Sequence, residues 1–308
     1  MNKKAENLLK PINITAFLLP ALILFIGILI APIIMSLYYS FFDWKGFGNK
    51  TFIGFSNYIE LFKSKDINFL EALKNSLLLA ALSVFIQLPI SLGFALALGK
   101  GIKGERLFLS VYFAPVLIST VVIGQLWLKI YNPDYGLLNV FLRKIGIEEQ
   151  IMKWTGDVKD VLWLGNKKIA LGAVFAPTLW QYVGYHMLLM YAGVKGVPLE
   201  LREAAMLDGA TDGQVNRYII IPSIKQIIKV SIIFAITGSF KSYDLIKVFA
   251  KDAYNCSYKV PSLLLVRYAF NNMGGIASAI AVIMIIMCFG FAILINSLFK
   301  ERDLYGAK

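Results

Sequence analysis

The sequence has little charge for its length, a single histidine and only two cysteines. Asp, Glu, Lys and Arg make up 16% of its 308 residues, whereas soluble domains average about 25%. Cys256, Cys288 and the lone His186 do not show a spacing typical of a metal site, and we expect no disulfide between the two cysteines. We therefore interpret His186 as a packed or hydrogen-bonded polar residue and predict no metal site.

Sequence signals for catalysis and for nucleotide binding are also missing. No Gly-x-x-x-x-Gly-Lys-Ser/Thr phosphate loop occurs, so this chain does not bind ATP by that route. Serine, cysteine and histidine are not placed as a recognisable catalytic triad. Lys and Arg outnumber Asp and Glu by 31 to 19, but no basic stripe with interleaved aromatic residues indicates nucleic-acid binding. We expect neither an enzyme nor a partner for nucleic acid.

Apolar residues are abundant instead, at 58% of the chain with a mean hydropathy of +0.66. A helix needs about 20 apolar residues to cross a bilayer, and barrel strands are far shorter than the apolar runs here. The sequence therefore predicts an all-α, polytopic membrane protein with six transmembrane helices. We place the six spans at about 12–41, 72–99, 107–131, 169–194, 222–248 and 276–299.

The distribution of Lys and Arg predicts the orientation of these spans. Basic residues are denser in the N-terminal segment 1–11, in 100–106 and 195–229, and in the C-terminal segment 300–308 than in the intervening loops. Bacterial-type membrane proteins keep their basic loops on the cytoplasmic side. We therefore expect both termini in the cytoplasm, in a cytoplasmic (inner) membrane whose lipid surrounds the spans.

A polar segment between Pro198 and Pro222 interrupts the apolar sequence. Pro198 suits the first turn of a helix, where its missing N–H costs nothing. Asp208 and Gly209 are typical of a turn, so this helix should end there. A second short helix from about Thr211 should end at Pro222. We expect two short helices that meet at a glycine bend, a shape suited to docking into a partner.

An ordered set of residues at fixed spacing runs through this segment, and it consists of Glu203, Ala204, Ala205, Asp208, Gly209, Ala210, Ile219 and Pro222. The set resembles the EAA loop of the membrane subunits of ATP-binding-cassette (ABC) importers. We call residues 198–222 the EAA loop. The resemblance implies that the loop docks in a cleft of a cytoplasmic ATPase subunit, with Glu203 opposite a basic group of that subunit.

Further motifs extend the resemblance from about residue 41 to about 281. Ser-Phe-Phe-Asp-Trp at 40–44, Gly-Phe-Ser-Asn-Tyr at 54–58 and Tyr-Asn-Pro-Asp-Tyr-Gly at 131–136 are similar to the first permease subunit of carbohydrate importers of the maltose and glycerol-3-phosphate type. The resemblance implies half of a heterodimeric pore for a sugar or oligosaccharide. It also implies three kinds of partner: a second permease, two ATPase subunits that bind ATP and Mg²⁺, and an extracytoplasmic solute-binding protein.

Three features depart from that family, and one of them is that no predicted loop is long enough for the large outside domain of some maltose-type subunits. The family's EAA loop usually has a tryptophan and then a phenylalanine where this chain has Gly213 and Asn216, so Val215 and Tyr218 are candidates for the apolar contact. After the fifth span the family often has a Thr-Gly-Gly-Gly-Pro-like loop. Here residues 250–254 are Ala-Lys-Asp-Ala-Tyr, so we expect a different outer turn.

The resemblance also implies substrate contacts just after Trp180 and about four turns into the fifth span. Mapped by equal spacing, these positions are Gln181, Tyr182, Tyr185, Gly238, Ser239 and Ser242. Aromatic faces, amides and hydroxyls commonly bind sugars. Without the resemblance, an interfacial aromatic cluster would be the simpler interpretation of the fourth span.

Some alternatives remain open from the sequence. Lys241 and Asp244, three apart in the fifth predicted span, either reach the outer interface or belong to the transport pathway. An ion-coupled secondary transporter would predict inverted repeats and broken helices, and no clear repeat is visible. Within the ABC interpretation, glycerol-3-phosphate or a polyol is an alternative to a sugar.

Overall fold

The computed structural model describes residues 11–251 and 256–299, which are mainly helical. The described residues divide into two compact units, one formed by 11–67 and 265–285 and the other by 68–251, 256–264 and 286–299. The predicted cytoplasmic termini, 1–11 and 300–308, lie outside the described residues except for Pro11. The predicted outer turn at 250–254 is described only at its first two residues.

The first unit begins with helix α1, Pro11–Leu24, which continues through the π-helical segment Phe25–Ile30 into α2, Ala31–Tyr39. The stretch Phe17–Tyr39 has a mean hydropathy of 2.9, and 0% of it is buried within the chain. Its apolar side chains are therefore free to face lipid or another subunit.

A β-hairpin follows, in the segment between the first and second predicted spans. Strands β1, Phe42–Trp44, and β2, Lys50–Phe52, pair antiparallel with Phe42 opposite Phe52. Gly275 packs so closely on this hairpin that an added Cβ would lie 2.1 Å from the Phe42 carbonyl oxygen. Helix α3, Ser56–Lys63, completes this part of the first unit.

The second unit contains the EAA loop and much of the predicted membrane region. Its elements up to the EAA loop are α4 Phe69–Leu82, a π-helical segment Ser83–Gln87, α5 Leu88–Leu98, α6 Glu105–Leu117, α7 Thr120–Ile130, α8 Leu137–Lys144, α9 Glu148–Thr155 and α10 Ala170–Gly196. The elements that follow are α11 Leu199–Leu207, α12 Asp212–Val215, a π-helical segment Asn216–Ile220, α13 Ile221–Ser223, α14 Lys225–Lys241 and α15 Asp244–Ala250. Helices α16 Pro261–Phe270 and α17 Gly274–Leu298 each begin in one unit and end in the other.

The third predicted span, 107–131, is not one continuous helix. Helices α6 and α7 meet at an angle of 96°, because Ile118 and Ser119 adopt extended backbone conformations with ψ of 136° and 132°. The break follows Pro115, which lies inside the last turn of α6 and cannot donate a backbone hydrogen bond there.

The fifth predicted span, 222–248, is interrupted as well. The helix entering from the EAA loop bends by 71° at Ile224. A second interruption follows α14, where Ser242 has a ψ of 89°. Lys241 and Asp244 therefore belong to different helices, and the prediction that they lie three apart on one helix is wrong.

By length and composition, three helices among the described residues can cross a membrane, and five if each bent pair counts as one span. The three are Phe17–Tyr39, Phe69–Leu98 and Gly274–Leu298. Helix α10 is 27 residues long and coincides with the predicted fourth span, but its polar residues make it less apolar than the others. The number of six spans stays a prediction.

Helix α10 forms the centre of the second unit. Its residues Ala173, Val174, Met187 and Met190 are almost completely buried. Its contact with α6 is very close, since a Cβ on Gly184 would lie 1.8 Å from the Tyr112 carbonyl oxygen. Glycine is therefore required at this crossing, and the crossing fixes the height at which the polar residues of α10 lie.

Candidate functional site

A cavity of about 490 Å³ opens inside the second unit, beside the middle of α10. Residues from α4, its π-helical continuation, α7, α14 and the interruption after α14 line the remaining walls. All six positions proposed as substrate contacts are in its lining: Gln181, Tyr182, Tyr185, Gly238, Ser239 and Ser242. The structure therefore brings together residues up to 61 positions apart in the sequence, while their role stays a prediction.

The candidate contacts on α14 and just after it differ in what they offer a ligand. Nothing lies within 4 Å of a Cβ built on Gly238, so this glycine leaves open space. The Ser239 hydroxyl donates to the Ala235 carbonyl oxygen at 2.9 Å and is 8% exposed as a residue. Its donor is therefore occupied by its own helix, as is common for serine in membrane helices. Ser242 lies in the interruption, and its carbonyl oxygen accepts from the Ser262 hydroxyl at 3.0 Å.

Gln181 connects the cavity to the break between α6 and α7. Its Nε2 donates to the Ile118 carbonyl oxygen at 3.3 Å and to Thr120 Oγ1 at 3.2 Å. Ile118 is at the break, where no helical donor satisfies its carbonyl. Gln181 thus supports the break with its nitrogen, while its buried Oε1 has no hydrogen-bond partner among the described residues.

Several further polar residues line the cavity that were not predicted as substrate contacts, and two of them, Gln87 and His186, carry a buried polar atom without a partner among the described residues. Gln87 ends the π-helical segment, is 2% exposed and has a buried Oε1 without a partner among the described residues. His186 is 4% exposed, and its buried Nδ1 likewise has none in the described part of the chain. Buried polar atoms are normally hydrogen-bonded. These two therefore mark places where a polar ligand or water completes the wall.

The signal that could have identified Gln87 is its position in an apolar span. A polar residue inside a membrane segment is costly and is by default a candidate for function. Gln87 also precedes Pro89 by two residues. Prolines disturb the regular hydrogen-bond ladder, and π-helical turns are frequent at functional sites.

Lys241 and Asp244 line the same cavity at the interruption after α14. Both residues are exposed, and no ion pair joins them within the described ranges. Their position favours the pathway alternative over residues that reach outward to the membrane interface. Opposite charges at one end of the cavity leave it without a net charge.

The EAA loop has the predicted two-helix form. Helix α11 ends at Leu207, and Gly209 adopts a φ of +86°, which favours glycine. The Ala210 N–H closes the helix end by donating to the Ala205 carbonyl oxygen at 2.9 Å. Thr211 and Gln214 then form a capping box for the next helix. That helix does not end at Pro222 but one residue later, because the preceding turn is π-helical and tolerates the missing N–H.

The motif residues of the EAA loop divide into an exposed and a packed set. Glu203, Ala204, Asp208, Gly209 and Pro222 are exposed. The packed set, which contacts the core around Val194 and Met190, comprises Ala205, Ala210 and Ile219. The loop therefore offers one face outward and anchors the other.

Apolar side chains enlarge the outward face. Leu207 is 89% exposed and Tyr218 is 67% exposed, and Leu199, Leu201 and Met206 add further exposed apolar surface. Val215 is only 3% exposed. It belongs to the core and cannot replace the missing tryptophan or phenylalanine, whereas Tyr218 is accessible for that contact.

Comparison with known proteins identifies similar chains. Residues 87–301 match the family model described as binding-protein-dependent transport system inner membrane component. The probable ABC transporter permease protein YurN of Bacillus subtilis is 35% identical, and the match covers 92% of this chain and 94% of that protein. The diacetylchitobiose uptake system permease protein NgcF of Streptomyces coelicolor is 32% identical, over 71% of this chain and 62% of that protein.

A solved structure has the same fold. It is a crystal structure of a bacterial ABC transporter involved in the import of the acidic polysaccharide alginate, and one of its chains matches with a TM-score of 0.78. The match covers 98% of this chain and 100% of that chain at 21% sequence identity. A likeness at this identity concerns the fold alone.

Proposed function

Because the chain belongs to the family of binding-protein-dependent transport system inner membrane components, we propose that it forms half of the transmembrane pathway for a sugar or oligosaccharide. It is a multi-pass permease subunit of an ABC importer and not an enzyme. Transport by such a subunit depends on a binding protein, as the family's description states.

The cavity beside α10 is the observation that carries the substrate class. Its wall combines two exposed or half-exposed tyrosines, Tyr182 and Tyr185, with two amide side chains, Gln87 and Gln181, whose buried oxygens lack a partner among the described residues. Sugar hydroxyls donate to such acceptors, and a sugar ring packs on tyrosine faces. The S. coelicolor relative is named for diacetylchitobiose, which is a carbohydrate. Both observations support a saccharide.

The charges in the cavity support a neutral substrate. Lys241 and Asp244 carry opposite charges. A phosphate group that binds near the Lys241 ammonium would therefore also lie near the Asp244 carboxylate. An anion next to a carboxylate is unfavourable at short distance. Glycerol-3-phosphate is therefore the weaker alternative, whereas a polyol shares the hydroxyl chemistry of a sugar.

The remaining partners follow from the EAA loop. Its exposed face, with Glu203, Leu207 and Tyr218, fits docking into a cytoplasmic ATPase subunit, of which we propose two. These subunits bind ATP and Mg²⁺. A second permease completes the pore. This arrangement places the EAA loop and both termini in the cytoplasm, in agreement with the density of Lys and Arg.

One observation matches the runner-up function, since broken helices are also found in ion-coupled secondary transporters. The bends of 96° and 71° are of that kind. A secondary transporter, however, has no use for an EAA loop, and family membership favours the ABC role.

Substrate-stimulated ATP hydrolysis tests the proposal. The complete assembly is purified with its binding protein and reconstituted in liposomes, and hydrolysis is measured with diacetylchitobiose, a maltose-type disaccharide, a polyol and glycerol-3-phosphate. We expect at least one saccharide to stimulate hydrolysis and to be taken up. Stimulation by glycerol-3-phosphate alone would contradict the sugar assignment.

A further inference from the structure

Arg202 connects the EAA loop to the ends of two other helices. It lies on α11, directly before the Glu203 motif position, it is half-buried as a residue, and its Nε is buried without a hydrogen-bond partner in the described part of the chain. Nη1 donates to the carbonyl oxygen of Gly99 at 3.4 Å, and Nη2 donates to the carbonyl oxygen of Val194. One side chain therefore spans from α11 to the C-terminal ends of α5 and α10.

The sequence leaves both carbonyl groups in need of a donor. In a continuing helix, the Val194 carbonyl would accept from the residue four positions later, which is Pro198 and has no N–H. Only the Val197 N–H reaches it from the backbone, at 3.4 Å. Gly99 is the C-cap of α5, where carbonyl groups are not satisfied within the helix. A cation at a helix C-terminus is also favoured by the macrodipole.

The two helix ends that Arg202 contacts are packed tightly together. A Cβ built on Gly99 would lie 2.4 Å from Val194 Cγ1, so a larger residue does not fit. The ends of α5 and α10 are therefore in direct contact, and the Arg202 guanidinium bonds to both.

Both helices lead to the cavity. Val194 lies nine residues after Tyr185 on α10, about 14 Å along a helix axis. The helix α5 continues from the π-helical segment that ends at Gln87, in the opposite wall. The path from the EAA loop to the cavity thus consists of one arginine and two continuous helices.

We propose that Arg202 is a positioning residue that transmits movement of the EAA loop to the two helices that line the cavity. The inference rests on the proposed function, because it needs an ATPase that moves the loop. A second link, the ion pair between Lys100 and Asp212 at 2.6 Å, is exposed on both sides. Exposed pairs contribute little, so Arg202 is the main polar connection, beside the apolar packing of Ala205, Ala210 and Ile219 on the core around Val194.

The test measures solute taken up per ATP hydrolysed in the complete reconstituted assembly. Arg202→Gln removes the charge and the fork of donors, and Arg202→Lys keeps the charge but cannot bridge two carbonyl groups as a planar guanidinium does. We expect about a tenfold lower ratio for Arg202→Gln, an intermediate ratio for Arg202→Lys, and continued hydrolysis in both. Arg106→Gln is the matched control, because Arg106 is an exposed arginine at the start of α6, outside the EAA loop, and should leave the ratio unchanged.

The outcomes separate the two hypotheses. A normal ratio in Arg202→Gln, or a lower amount of assembly with an unchanged ratio, would overturn the role of Arg202 and leave the proposed function standing. If Arg202→Gln does not assemble, Arg202→Lys decides, and failure of both to assemble would make Arg202 a folding residue only. If the wild-type assembly shows no ATP-driven uptake, the proposed function itself fails.

Discussion

The Gln181 side chain donates from Nε2 to the carbonyl oxygen of Ile118 at 3.3 Å, across the break between α6 and α7. A residue proposed as a substrate contact is therefore also a support for the cavity wall. Losing the donor removes this hydrogen bond, which costs about 0.5–1.5 kcal/mol. The break would then adjust, and the wall with it.

Gln181→Glu separates the two roles, since it keeps acceptor oxygens and loses the amide donor. We expect a lower thermal stability of the purified assembly and reduced uptake for this variant. Ser239→Ala is the control, because the Ser239 hydroxyl bonds to its own helix and its loss should change either quantity only slightly. Unchanged stability in Gln181→Glu would show that the bond to Ile118 does not hold the break.

Substitution of Gln87 should affect stability in the opposite way from substitution of Gln181. Its Oε1 is buried without a partner among the described residues, so replacing the side chain by leucine removes an unsatisfied group rather than creating one. Such changes are nearly neutral or stabilising. We expect Gln87→Leu to leave thermal stability equal or higher and to reduce uptake at sub-saturating substrate. Normal concentration dependence of uptake would remove Gln87 from the substrate pathway.

Tyr185 should contribute through its ring and its hydroxyl. We expect Tyr185→Ala to reduce uptake at sub-saturating substrate, because it removes both stacking area and a polar group. Basal ATP hydrolysis and assembly should survive, since Tyr185 lines an open cavity rather than the packed core. Tyr185→Phe, which keeps the ring, should lie between Tyr185→Ala and the wild type. If radiolabelled uptake by Tyr185→Ala matches the wild type, the substrate passes elsewhere.

Gly209 makes the bend of the EAA loop by its conformation and not by lack of space. Its φ is +86°, and nothing lies within 4 Å of an added Cβ. A side chain in this conformation costs about 1–2 kcal/mol, enough to redirect α12. We expect Gly209→Val, and separately Glu203→Lys, to weaken ATPase association or to uncouple hydrolysis from uptake while membrane insertion stays normal. Co-purification of the ATPase subunit measures the first effect, and wild-type coupling in both variants would contradict it.

The helical regions of this fold were predictable, and the interruptions were not. Apolar runs indicate where the helices lie, because a backbone in lipid must form its hydrogen bonds internally, as a helix does. In the described residues, each π-helical segment is followed by a proline at the second position of the next helix, namely Pro32, Pro89 and Pro222. The prolines are visible in the sequence, but their effect is not. The turn that precedes Pro222 is π-helical, whereas the helix that contains Pro115 ends in a break. Which of these occurs depends on tertiary contacts such as the hydrogen bond from Gln181 to Ile118.

The cavity was predicted in part. The family's spacing led to Gln181, Tyr185 and Gly238, which the structure brings to one cavity. Gln87 and His186 were missed because they lie on the far wall or on another face of α10, which spacing from Trp180 alone does not reveal. The hydrogen-bond partner of the Ser239 hydroxyl was also not predictable. This hydroxyl donates to a carbonyl oxygen of its own helix, and that bond exists only in the folded backbone.

The central claim is that this chain is a permease subunit that works only with partners that supply ATP hydrolysis. Its most direct test is uptake of a saccharide into liposomes that contain either this chain alone or the chain with the second permease, two ATPase subunits and the binding protein. We predict ATP-dependent uptake by the complete assembly, and none by the chain alone under ATP, a proton gradient or a sodium gradient. Gradient-driven uptake by the isolated chain would contradict the claim.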